Sequence, residues 1–141
     1  MYKKALITTD GSESSKNEIT KILNVIDQND GELIILSVAD KVVSHHFQRQ
    51  KHVDRLNEDL LKEAEYNVND MKKNIPIDTI PIKTRVGQGH PADVIVEVSQ
   101  EEDVDLIIIA RSGRSNINKF FLGSVAEKVV KNSSIDVLLI N

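Results

Sequence analysis

The chain has 141 residues, 28% charged and 40% hydrophobic, with 18 lysines and arginines against 22 aspartates and glutamates. That length suits one domain able to bury roughly two-thirds of its unfolded surface, and a formal charge of -4 excludes the strongly basic character of nucleic-acid or membrane-surface binding. Cysteine and tryptophan are absent and aromatics are 4%, which removes disulfides, thiol chemistry, cysteine-ligated zinc and base-stacking platforms.

Ala5–Thr9 is a short apolar run stopped by Asp10-Gly11-Ser12, the pattern of a buried strand entering a turn. It is too short for a signal peptide or a membrane span, so the expectation is one soluble, cytoplasmic domain over residues 1–141 with no nucleic-acid and no membrane partner. From Ser14 to Asn29, the spacing of Ile19, Ile22, Leu23 and Ile26 predicts an amphipathic helix that Asp30-Gly31 ends. Leu33–Val38 is nearly continuous apolar sequence, as a strand covered on both faces requires.

Between Ser44 and Asn74, Val53, Leu56, Leu60, Ala64, Val68 and Met71 recur every three or four residues, predicting a long charged helix with one buried stripe that Pro76 ends. Ile77–Val86 alternates and is rich in β-branched residues, a third strand that Pro81 places at a sheet edge. Gly87–Pro91 reads as a turn with Pro91 opening a helix whose buried face is Val94, Ile95 and Val98. Leu106–Ile109 is the most apolar strand and therefore central. Leu122, Val125, Ala126, Val129 and Val130 have helical spacing, and Val137–Ile140 is a fifth strand. Five strands alternating with four helices imply right-handed crossovers and a parallel sheet covered on both sides. Ligands of such sheets bind beyond the strands' carboxyl ends, where five of the six glycines are expected, all but Gly31.

The loop after the fourth strand runs from Ala110 to Ser124 and carries Gly113, Gly123, Arg111, Arg114 and Lys119. Glycine admits close backbone approach to an anion, and a helix N-terminus adds unpaired donors. Together with the cations this describes a phosphate cradle. Ser124-Val125-Ala126-Glu127 also fits a capping box, which would explain the serine without any ligand.

These residues carry a resemblance. Gly113, nine intervening residues and Gly123-Ser124 resemble the nucleotide-binding motif of the universal stress protein family, Gly-x-x-Gly-x9-Gly-Ser/Thr. Leu122–Val129, Ala5–Ser14 and Val104–Ile108 are similar to the family's helix opening, first strand with its Asp-Gly-Ser turn, and fourth strand. The resemblance implies a single-domain α/β three-layer sandwich: a five-stranded, mainly parallel sheet of order 3-2-1-4-5 with four helices. It further implies ATP at the switch point between the first and fourth strands, with Mg or Mn. Thr8 and Asp10 would then line the adenosine end and Val38 would meet the base. Ala110, Arg111, Gly113, Arg114, Ser115, Gly123, Ser124 and Val125 would surround the phosphates. A homodimer through the exposed last strand, with Val137 and Leu139 at its interface, is common in the family and would satisfy an otherwise open sheet edge.

Ala110 stands where the family has its first loop glycine. Were positive φ or direct phosphate approach needed there, its methyl would cost on the order of 1 kcal/mol or more. Other motifs carry less. Gly87-Gln88-Gly89-His90-Pro91-Ala92 fits a dinucleotide fingerprint only superficially, because the next strand ends in Ala110-Arg111 rather than in an acidic residue. His45 and His52 are seven residues apart, about 10 Å along a helix and too far to share an ion. No P-loop, nucleophile elbow or His-Glu-x-x-His occurs. The reading is an ATP-binding regulatory or sensory module with slow hydrolysis at most and no metal-ligating cluster. The alternatives are a nucleotide-free dimeric interaction module and an adenine-nucleotide hydrolase.

Overall fold

The computed structural model describes residues 1–12, 19, 21–44, 49–111 and 122–140. Its strands are β1 (Lys4–Thr8), β2 (Glu32–Ala39), β3 (Ile82–Gln88), β4 (Leu106–Ala110) and β5 (Asp136–Ile140). They form one sheet in the order β3-β2-β1-β4-β5, and every neighbouring pair is parallel. The helices are α1, whose described helical run is 21–25, α2 (Gln50–Asn74), α3 (Pro91–Glu101) and α4 (Ser124–Asn132). None of the described helices is long and apolar enough to cross a membrane.

Alternation along the central strands builds three layers. Ala5, Ile7, Ile35 and Ile108 face one way and pack with Ile22, Val68 and Met71 from α1 and α2. Leu6, Ile34, Leu36 and Ile107 face the other way, against Ile95, Val98, Ala126 and Val129 from α3 and α4. Because both faces are covered, β1 needs apolar residues at consecutive positions, and Ala5, Leu6 and Ile7 are wholly buried.

Several boundaries differ from the expectations. The buried stripe of α2 covers only its second half, at Ala64, Val68 and Met71; Leu56 is exposed. The third strand begins at Ile82 rather than Ile77. Thr79 donates its hydroxyl to the Gln28 carbonyl at 2.7 Å and Ile80 is buried, which carries residues 77–81 around the sheet edge instead of along it. Pro81 does mark an edge strand: its carbonyl accepts from Leu33 N–H at 3.0 Å as β3 begins. Gly87 and Gln88 belong to β3, so the turn shrinks to Gly89-His90. A β-carbon on Gly87 would run into Val94 Cγ1, which is how closely α3 lies against this edge.

At the opposite end of the sheet from the site described next, Glu102 gathers cations. Its carboxylate accepts from Lys83 Nζ at 2.8 Å and Arg85 at 3.0 Å, with Lys4 Nζ at 3.9 Å. The Lys83 hydrogen bond, then that of Arg85, holds the carboxyl below its usual range against the opposing effect of burial.

Candidate functional site

Chain order reverses between β1 and β4, and at their carboxyl ends the two helical layers part around a cavity of about 610 Å³. Beyond the end of β1, Thr9 is buried and its Oγ1 accepts from Gly11 N–H at 3.1 Å. Asp10 Oδ1 accepts from Ser12 N–H at 2.9 Å, the local side-chain bond that makes aspartate a turn residue. Gly11 has φ +81°, and a β-carbon there would lie 2.6 Å from Asn67 Oδ1 of α2. Glycine is therefore favoured by its conformation, while the Asn67 side chain would have to give way to a β-carbon, and the turn holds Asp10 half-buried at the cavity wall.

The far wall is the junction of β4 and α4. Arg111 N–H donates to the Ile140 carbonyl at 2.7 Å, continuing the β4–β5 ladder, and Gly123 N–H donates to the Arg111 carbonyl at 2.8 Å. That second bond ties the start of α4 to the end of β4. Gly123 is the N-cap residue and makes no side-chain cap bond. The expected capping box does not form: Ser124 is already the first helical residue, and Glu127 pairs with Lys131 at 2.8 Å. Among the described residues no side chain caps the first N–H groups of α4, at the positive end of the helix dipole, and Ser124, Val125 and Ala126 line the cavity there with Arg111. The start of α3 supplies Pro91 and Ile95 as apolar wall, and Pro91 removes one of that helix's first N–H groups.

Of the residues singled out from sequence, Thr8, Asp10, Val38, Ala110, Arg111, Gly123, Ser124 and Val125 come together around this cavity. Gly113, Arg114 and Ser115 lie outside the described residues. Ala110 ends β4 in register with Ile140. Among the described non-glycine residues Asp103 alone has positive φ, so Ala110 needs no glycine-like backbone, contrary to the strain considered above. Sequence reasoning missed Asp40, Leu60 and Glu63. Leu60 and Glu63 are one helical turn apart on α2, but their spacing looks like ordinary core stripe and solvated flank. Among the described residues no group of three histidine, aspartate or glutamate side chains could hold a metal ion. His90 caps α3 through its backbone, its carbonyl accepting from Val94 N–H at 3.0 Å.

The cavity draws its carboxylates from the ends of β1 and β2 and from α2, namely Asp10, Asp40 and Glu63, and its cation, Arg111, from the end of β4 beside the start of α4. The model of the universal stress protein family matches residues 1–141. The chain belongs to the universal stress protein family. Universal stress protein MJ0531 of Methanocaldococcus jannaschii is 30% identical over 140 residues, covering 99% of this chain and 82% of the relative. The solved structure of MJ0577, from the same archaeon, is 30% identical with a TM-score of 0.85, covering 99% of this chain and 96% of that one. A universal stress protein solved in complex with cAMP is 25% identical with a TM-score of 0.61, covering 99% of this chain and 97% of that one.

Proposed function

We propose that this universal stress protein is a regulatory or sensory module that binds an adenine nucleotide, with ATP as its principal ligand and slow or no hydrolysis. The observation that carries the reading is the N-terminus of α4, which no described side chain caps, beside Arg111 in the wall of a cavity of about 610 Å³. Unpaired helix N–H groups with a guanidinium favour a phosphate chain, and the volume is that of a small-molecule site. The cAMP complex of a relative supports an adenine nucleotide as the class of ligand. Arg111, Gly123, Ser124 and Val125 would hold phosphates, joined by Gly113, Arg114 and Ser115, with Ala110 at the strand end beside them. Thr8 and Asp10 would line the adenosine end, and Val38 would contact the base. Because the described phosphate end is built of donors and a cation, it is equipped to bind rather than to activate water. Mg or Mn would enter on the phosphates.

A homodimer through β5 belongs to the same proposal. β5 is an edge strand, Val137 is half-buried and Leu139 is 37% exposed, so a second copy would cover both the open backbone and the apolar side chains. The test of nucleotide binding is acid extraction and mass spectrometry of undialysed protein, followed by melting with millimolar Mg-ATP. Near-stoichiometric ATP or AMP, or a raised melting temperature, is expected. An empty extract together with an unmoved melting temperature would favour the nucleotide-free dimeric module instead.

A further inference from the structure

The chain leaves β2 along one wall of the cavity. Gly89 N–H donates to the Ala39 carbonyl at 3.0 Å, one residue before Asp40. Three residues further on, Val42 N–H donates to Asn57 Oδ1 at 2.9 Å and Asn57 Nδ2 donates to the Val42 carbonyl at 3.0 Å. One side-chain amide thereby satisfies both backbone groups of one residue, as a neighbouring strand would, and fastens the segment after β2 to α2. Asn57 lies three residues before Leu60 and six before Glu63, so the helix that clamps this segment also contributes two residues to the same wall.

We propose that Asn57 is a positioning residue for the end of the cavity that reads the nucleoside, acting through Asp40. The inference rests on the nucleotide reading above. Asp40 follows β2, and Leu60 and Glu63 belong to α2, which packs on β2 and β3, whereas Arg111 and the α4 N-terminus follow β4, beyond β1 in the sheet order. Carboxylates repel phosphate, yet they accept hydrogen bonds from sugar hydroxyls and from an exocyclic amino group. Asp40 engages no protein hydrogen bond or ion pair in the described structure and lies at the exposed rim, so its placement follows from the backbone on either side. Ala39 is held by the sheet and Val42 by Asn57.

The experiment is a double-mutant cycle for Mg-ATP affinity with Asn57→Ala, Asp40→Ala and the double variant, with inorganic tripolyphosphate as a second probe. Each single substitution should weaken ATP by about tenfold, and the double should be within about twofold of the weaker single, because residues acting through one another are not additive. Tripolyphosphate, lacking a nucleoside, should be affected less than about twofold. Wild-type ATP affinity in Asn57→Ala, losses that multiply in the double variant, or equal weakening of both probes would each overturn the positioning role while leaving nucleotide binding intact. A wild-type protein that does not bind ATP would remove the nucleotide reading, and this inference with it.

Discussion

Replacing Ala110 by glycine tests whether the unstrained strand end seen here is the conformation that matters. A glycine is common at this position in the family, which invites the idea that Ala110→Gly would relax the backbone and tighten the site. The geometry argues the reverse. Ala110 is the last residue of β4, paired with Ile140, and has no positive φ. A glycine there costs about 0.5–1 kcal/mol in backbone entropy. Losing a half-buried methyl removes about 0.4 kcal/mol more, half the value of a fully buried carbon. The sum, about 1–1.5 kcal/mol, corresponds to a melting temperature about 3–6 °C lower for a domain of this size. With no strain to release, ATP affinity should move by less than about threefold, or ~0.6 kcal/mol. Scanning calorimetry reads the first quantity and titration calorimetry the second. A rise in melting temperature would refute the reasoning and show that the position prefers a glycine conformation, and ATP binding tighter by more than about tenfold would refute it by showing that the methyl group obstructs the phosphates.

Asp10→Asn keeps an acceptor for Ser12 N–H while removing the charge; ATP affinity should fall with the melting temperature unchanged, and unchanged affinity in titration calorimetry would remove Asp10 from the site. Glu102→Gln should destabilise the fold by about 1–2 kcal/mol, because the carboxylate is 11% exposed and accepts hydrogen bonds from two cations, one of them the well-exposed and screened Lys83. The folded carboxyl is held below its ordinary value, so its contribution is complete at neutral pH and drains away as pH falls below about 4.3. The variant should therefore show a flatter melting profile than wild type across that acidic range, and parallel profiles would contradict the assignment. Leu139→Lys puts a charge on the open β5 edge and should leave a monomer by sedimentation velocity; an unchanged coefficient would exclude this edge as the dimer contact.

The sequence by itself determined the layers and the sheet. Consecutive apolar residues at Ala5–Ile7, Leu33–Leu36 and Leu106–Ile109 cannot be half-solvated, so parallel strands under helices on both faces follow from local pattern and the handedness of crossovers. The motif residues were also legible, since Asp10-Gly11-Ser12 and Gly123-Ser124 announce turns at strand ends whatever surrounds them. Tertiary structure alone decided the rest. Whether Ser124 caps a helix or leaves its N–H groups open depended on where α4 starts, and the Gly123–Arg111 bond set that start. Whether Ala110 was strained depended on its pairing with Ile140. The α2 side of the cavity was invisible in the sequence, because Leu60 and Glu63 have the spacing of any amphipathic helix. Asn57 finds Val42, and Asn67 crowds Gly11, only once that helix is laid across β2 and β3. Periodicity encodes which face of an element is buried; contacts between residues far apart in sequence exist only after the faces have met.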